Sequence, residues 1–295
     1  MEYISVEQAA KKWKLTNRSV RNYCAKGRIA GAFLTGKTWN IPADADKPAR
    51  KRRVTPCRTL LTVLRAEKAA HQHGSIYHRI QIDLTYNSNH IEGSRLTQDQ
   101  TRFIFETNTI GVDKDSVRVD DVVETANHFK CIDMVIDNAN YKLSERFIKE
   151  LHRILKNGTS DSRKEWFAVG DYKQQPNEVG AQPTTRPEHV AAKMQELITQ
   201  YNKQATHTLE ELLEFHYQFE KIHPFQDGNG RIGRLILFKE CLHNNIVPFI
   251  ITDNIKHFYY LGLKEWSTNH ERLRDTCLSG QDQMKAILDY FNILY

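Results

Sequence analysis

Apolar residues from Thr59 onward recur at three- and four-residue spacing, the period of an amphipathic helix. Ile76, Ile80, Leu84 and Ile91 fall on one stripe. Val122, Ala126 and Phe129 form a second, continued by Ile132, Met134 and Ile136. Phe147, Leu151, Ile154 and Leu155 make a third, and Leu209, Leu212, Phe215 or His216, and Phe219 a fourth. Residues 231–243 and about 282–293 read as helices as well. Proline and glycine gather instead in GDYKQQPNEVGAQPTTRP, residues 170–187, which predicts a hairpin or extended excursion from a mainly α body. No internal repeat and no low-complexity tract interrupts it.

The residues before Thr59 follow another pattern. Ser5 is an N-cap candidate for a short helix carrying Val6, Ala9, Ala10 and Trp13. Leu15 and Thr16 mark a tight turn. A second helix, Asn17 to Lys26, places Val20 and Tyr23 or Cys24 on its inner face and Arg18, Arg21 and Lys26 outside, with Gly27 as its stop. AFL and TWNI are short runs of β-formers around T-G-K and predict a hairpin with Gly36 at its tip. Two short helices joined by a tight turn, the second rich in arginine, form a helix-turn-helix signature with a wing. Residues 31–38, GAFLTGKT, also satisfy the phosphate-loop pattern G-x-x-x-x-G-K-[ST]. A phosphate loop needs a helix after its Lys-Thr, and here Trp39, Asn40, Ile41 and Pro42 follow. The wing reading is preferred.

Charge sharpens that picture. Residues 1–58 hold 14 Lys and Arg against 4 Asp and Glu, a surplus of ten, whereas the remaining residues hold 28 against 32. A basic head on a mildly acidic body is the asymmetry expected when one end meets nucleic acid, and Arg18, Arg21, Lys26 and Lys37 are the contact candidates. A small basic module that docks on protein stays the alternative. KPARKRRVTP, residues 47–56, has two prolines and five basic residues without hydrophobic periodicity, and predicts a linker able to touch phosphates. The head over residues 3–46 resembles small DNA-binding domains of the excisionase and MerR type.

Composition excludes other classes. The 295 residues, 40% hydrophobic and 26% charged, are those of an ordinary globular protein. No run approaches the roughly 20 apolar residues that span a bilayer. MEYISVEQAAKKWK lacks the apolar region of a secretory signal. Cys24, Cys57, Cys131, Cys241 and Cys277 are dispersed and never arranged C-x-x-C, which suits a reducing cytoplasm and no membrane. His71, His73, His78 and His90 show no spacing that converges on a metal set.

The chemistry concentrates in HPFQDGNGRIGR, residues 223–234, between two predicted helices. Gly228 and Gly230 let successive N–H groups face one concavity at the start of the second helix, where orphan donors and the dipole attract anions. Asn229 adds an amide donor. Arg231 and Arg234, three apart, lie on one helical face and can both reach a polyphosphate. Asp227 suits a magnesium ion that the phosphates bring. His223 can accept a proton from an attacking hydroxyl, and Phe225 is expected to anchor the loop.

These residues look like the Fic family signature H-P-F-x-[DE]-G-N-G-R-x-x-R, matched at every fixed position, and the resemblance covers about residues 59–295. It implies a helical core with a β-hairpin flap that binds ATP with magnesium, or manganese in its place, and transfers AMP to a Ser, Thr or Tyr of a protein. His223 is then the base, and Asp227 holds the metal. Gly228, Asn229 and Gly230 cradle the phosphates, and Arg231 and Arg234 neutralise charge. The Doc-type relatives, which move phosphate, differ at the GNG and arginine positions, so AMP transfer is preferred. Residues 170–187 resemble the flap that holds the target by main-chain pairing, with Val179, Gly180, Ala181 and Gln182 at the site's edge. Family members often carry Arg where this chain has Lys173. Tyr259 and Tyr260 match a pair that lines the adenine pocket in relatives, helix packing being the other reading.

SNHIEG, residues 88–93, resembles the family's inhibitory motif [ST]-x-x-x-E-[GN]. The resemblance implies an inhibitory helix over about 76–93, with Ser88, Glu92 and Gly93, in which Glu92 forms a bidentate pair with Arg234 and occupies the group meant for the γ-phosphate. In some relatives the same glutamate supports AMP removal. The expected organisation is a winged helix-turn-helix at 1–46, a basic linker at 47–58 and a Fic domain at 59–295. The expected partners are a protein substrate at the flap, the chain itself among the candidates, and DNA through residues 1–58. A homo-oligomer is left open. A second function class also stays open, a transcription regulator whose body senses ATP or a partner.

Overall fold

The computed structural model describes residues 2–36, 38–48, 59–111, 116–180 and 182–295. Lys37, Ala181 and residues 49–58 of the expected linker lie outside the described residues. Contacts divide the chain into two compact units, Met1–Cys57 and Arg58–Tyr295.

In the first unit, β1 (Tyr3–Ile4) leads into α1 (Val6–Trp13), α2 (Asn17–Ala25), β2 (Phe33–Thr35) and β3 (Thr38–Pro42). Ser5 caps α1 in a reciprocal box with Gln8, and Thr16 caps α2 through Ser19 N–H. The strands form an antiparallel sheet of order β1-β3-β2, with Phe33 opposite Asn40 and Thr35 opposite Thr38. Gly36 at the hairpin tip has φ 60°, open to glycine at little cost. Ala9, Ala10, Trp13, Val20, Cys24, Ile29 and Ile41 build a small core, and Arg18, Arg21 and Lys26 are exposed.

The second unit is helical: α3 (Leu60–Ala69), α4 (Ile76–Ile91), α5 (Gln98–Thr107), α6 (Val119–Asn138), α7 (Glu145–Lys156), α8 (Pro187–Tyr201), α9 (Leu209–Ile222), α10 (Asn229–His243), α11 (Lys256–Glu265) and α12 (Glu271–Tyr290). The excursion between α7 and α8 contains β4 (Glu178–Val179) and β5 (Gln182–Pro183), paired antiparallel. α12 starts well before the expected residue 282. Gly280 lets it lie close against Phe249, so packing extends the helix through a stretch of weak apolar periodicity.

α10 runs through the middle, against α9, α6, α4 and α7, and is buried from Arg231 to Leu242. Its charged residues are satisfied internally. Lys239 pairs with Glu240 at 2.7 Å and donates to Tyr141 O, and Glu240 accepts from the Tyr201 hydroxyl. A helix fixed so firmly presents its N-terminus as a rigid platform. No helix among the described residues is long and apolar enough to cross a membrane.

Candidate functional site

The site begins where α9 stops. His223 takes a left-handed conformation, φ 53°, and its N–H closes the helix on Phe219 O at 2.9 Å. Pro224 follows, and Phe225 buries its ring in a stack on His152, centroids 4.0 Å apart. Asn229, the first residue of α10, reaches back four positions. Its Oδ1 accepts from Phe225 N–H and its Nδ2 donates to Phe225 O, both at 2.8 Å. The Asn229 side chain thus staples the loop, a role the motif did not suggest, and its amide keeps a second N–H beyond the one given to Phe225 O. Gly228, at φ 85°, starts α10 without a side-chain cap, so the first N–H groups of a buried helix stay available to an anion.

The His223 imidazole is mostly buried, with Nδ1 3.4 Å from Glu220 O and 4.0 Å from Glu220 Oε2. The group within hydrogen-bond reach of Nδ1 is the Glu220 carbonyl, an acceptor, which assigns the proton to Nδ1 and leaves the Nε2 lone pair for an incoming hydroxyl. Burial, followed by the charge of Lys173, pushes the His223 pKa down to about 4, so the ring is neutral at physiological pH. Glu220 is partly buried, its side chain 17% exposed, and burial pushes its carboxyl up to about 8 against the opposing pull of Arg234.

Around Asp227 lies a knot of charge. Lys156 Nζ is 2.6 Å from Asp227 Oδ2, 2.5 Å from Glu124 Oε1 and 3.0 Å from Asp161 Oδ2. Arg231 pairs with Glu124 and with Asp227 Oδ2, the latter at 3.1 Å. Burial works against charge on Asp227, but Arg231 and Lys156 outweigh it and hold the carboxyl well below its usual range. These residues, with Glu92, line a polar pocket of about 130 Å³. Among the described residues no three His, Cys, Asp or Glu are grouped so as to hold a metal ion.

Arg234 is held by α4. Its Nε donates to Ser88 Oγ at 3.0 Å, and its Nη2 donates to Ser88 O at 2.9 Å and to Glu92 Oε1 at 2.8 Å. Glu92 therefore makes one hydrogen bond with Arg234, through Nη2, rather than the expected bidentate pair, while Nε is turned to Ser88. Gly93, φ 92°, turns the chain away behind it. Gly230 permits the approach, since a Cβ there would collide with Glu92 Oε1 and sit 3.0 Å from Arg234 Nη1.

Val179 and Gln182 are exposed on the β4–β5 hairpin, with Gly180 at φ 55°. Tyr259 and Tyr260 separate. Tyr259 is buried, its hydroxyl 2.6 Å from His216 Nε2, so it packs the core, and only Tyr260 is substantially exposed. Sequence reasoning missed Glu124, His152, Lys156 and Glu220. His152 and Lys156 are one turn apart on α7, and His152 Nε2 lies 3.2 Å from Asp227 O.

Residues 142–240 match the family model described as Fic/DOC. Among curated relatives, the protein adenylyltransferase Fic of Aedes aegypti is 30% identical over 207 residues, 68% of this chain and 38% of that protein. The protein adenylyltransferase Fic of Nematostella vectensis is 26% identical over 192 residues, 64% and 43% of the two. The chain thus spans about two fifths of the length of these relatives. A solved Fic-domain-containing signaling protein from Bacteroides thetaiotaomicron is similar with a TM-score of 0.61 at 24% identity, over 76% of this chain and 92% of that one. Fic-1 from Caenorhabditis elegans gives 0.60 at 22%, over 78% and 69%. At these identities the structures bear on the fold alone, and the helical body shares it.

Proposed function

We propose that the Fic domain carried by this chain makes it a protein adenylyltransferase, held back by Glu92. One observation carries the reading: His223, with its Nε2 unprotonated, stands beside an uncapped helix N-terminus whose first turns bring in Arg231 and Arg234. The curated relatives named protein adenylyltransferase support the same reaction. His223 Nε2 takes the proton of a target Ser, Thr or Tyr hydroxyl, and the oxygen bonds to the α-phosphorus of ATP. The bond between that phosphorus and the bridging oxygen breaks, and pyrophosphate leaves. The N–H groups from Gly228 to Gly230 hold phosphate oxygens. Arg231 and Arg234 neutralise their charge once Glu124 and Glu92 give way.

Asp227 suits a magnesium ion, with manganese as substitute. It is a hard oxygen donor, its side chain half exposed at a polar pocket, and its ion pairs with Lys156 and Arg231 run through Oδ2. A bound ion would supply charge against the triphosphate. The hairpin edge at Val179 and Gln182 offers main-chain groups to an extended target segment, which is how a protein, including a second copy of this chain, would be held.

The test is incubation of the purified chain with α-labelled ATP and magnesium. Label appears on protein, rises with Glu92→Gly and disappears with Glu92→Gly/His223→Ala. A Glu92→Gly protein that labels neither itself nor any protein of a lysate sinks the reading.

The basic head favours a second activity, DNA binding. α1 and α2 meet at a tight turn, α2 exposes Arg18 and Arg21, and the β2–β3 hairpin forms a wing. Retention on duplex DNA should weaken with salt and with Arg18→Ala/Arg21→Ala. Salt-insensitive retention points to protein docking instead.

A further inference from the structure

Lys173 is 3% exposed, yet every described partner of its ammonium is a neutral oxygen. Nζ donates to Asn177 Oδ1 and to Thr184 Oγ1, both at 2.6 Å, and lies 3.5 Å from Ile222 O. Asn177 is the residue before β4, and Thr184 the residue after β5. Ile222 ends α9, immediately before His223. The main chain repeats the connection: Lys173 N–H donates to Pro224 O at 2.9 Å, and Asn177 Nδ2 to Phe225 O at 3.0 Å. Thr184 N–H closes the hairpin base on Asn177 O at 3.2 Å.

A buried ammonium without a counter-ion is costly, and stability alone is a poor reason for one. Its location supplies another. One cation touches both legs of the hairpin and the residue adjoining the base.

We propose that Lys173 is a positioning residue that clasps both legs of the target-holding hairpin to the end of α9 and so sets the hairpin's edge against His223. The proposal rests on the reading of His223 as base and of the hairpin as the target's seat. Its recognised class of substrate is an extended protein segment, whose hydroxyl reaches His223 only if the pairing edge at Val179 and Gln182 is held at fixed distance. The ammonium also acts on His223 directly, disfavouring the charged ring, while Glu220 on α9, Asp227 in the loop and Glu92 at the end of α4 stand on the opposing side.

The test uses the full chain without nucleotide, as wild type, Lys173→Met and Lys173→Arg. Amide hydrogen exchange is read by mass spectrometry over residues 175–186, and the His223 ring carbons are titrated by NMR. Lys173→Met should speed hairpin exchange by about tenfold, the effect of losing roughly one buried charge-assisted hydrogen bond, while α10 stays protected. It should also move the His223 midpoint upward by about half a pH unit. Lys173→Arg, which keeps the cation and its donors, should hold both near wild type. Unchanged exchange in Lys173→Met overturns the clasp, and so does equal loosening by Met and Arg. If Lys173→Met does not fold, Thr184→Val removes one acceptor from a half-buried leg and should speed exchange by about threefold; no increase overturns the proposal. None of these readouts needs catalysis. An ordered hairpin on a protein that never labels therefore counts against the adenylyltransferase reading and not against the clasp.

Discussion

Glu92 Oε1 sits 2.8 Å from Arg234 Nη2, reaching it from the C-cap of a helix 142 residues earlier in the chain. The guanidinium is buried, and Ser88 supplies two further hydrogen bonds. A phosphate that claimed Arg234 would have to displace a carboxylate, an exchange of one anion for another.

That exchange predicts the behaviour of Glu92→Gly. Removing Glu92 leaves a buried cation with hydrogen bonds but no counter-charge. The cost should be about 1–3 kcal/mol, below that of a fully buried pair because Glu92 is partly exposed. ATP with magnesium should then stabilise the variant more than wild type, since phosphate restores the missing anion. Urea denaturation with and without nucleotide measures both. Equal nucleotide shifts in the two proteins would contradict the exchange.

Neutral His223 predicts an unusual acid limit. Burial and Lys173 push its folded-state pKa down to about 4, so the base stays unprotonated well below the pH at which an exposed histidine would be charged. Initial rates of Glu92→Gly labelling should hold from neutrality down to about pH 5 and fall near 4. For stability the sign agrees. A histidine whose folded pKa is depressed contributes fully above its ordinary value, and the contribution is lost as pH falls through 4. An acid limb centred near 6.5 would mean that His223 is solvated in the working state.

How much of this was legible beforehand depended on whether a residue's partner lay close in the chain. The segment from His223 to Arg234 announces itself because its glycines, proline and arginines have a joint meaning within one turn. The stripes of α4, α6, α7 and α9 were legible by period, and so was the mainly helical body. Lys156, Glu124 and His152 were not. Each acquires its place only when α6 and α7 pack beside the start of α10, and a lone charged residue on an amphipathic helix looks like solvated surface until then. The tyrosine pair divides for a reason that helical geometry already contained: adjacent residues point about 100° apart, so Tyr259 and Tyr260 do not share one face. The stapling role of Asn229 was not legible either. At the first turn of a helix a side-chain amide can find a backbone N–H and C=O four residues back, and the motif carries no sign of that contact.

Asn229→Ala follows from that staple. The substitution strands the N–H of Phe225 in a buried loop, while Phe225 O keeps only its bond from Asn177 Nδ2. It should destabilise the chain by about 2–3 kcal/mol and release the Phe225 ring from His152. Thermal denaturation reads the first effect. The second appears as increased exposure of residues 223–228 to hydrogen exchange. If Asn229 served mainly as a phosphate donor, the variant would keep its stability and lose only nucleotide affinity, the opposite pattern.

Gly230 offers the sharpest separation of brake from scaffold. Its backbone is helical, so alanine is compatible with its conformation and should favour the helix by up to about 1 kcal/mol. What opposes it is the space taken by Glu92 Oε1 and Arg234 Nη1. In wild type, Gly230→Ala should therefore destabilise by about 1–3 kcal/mol, as overpacking does. In the Glu92→Gly background the same change should be neutral or stabilising, because the colliding carboxylate is gone. A double-mutant cycle on urea stability measures this coupling, which should exceed about 1 kcal/mol. Additive changes would show that Glu92 does not occupy the space over Gly230 in solution.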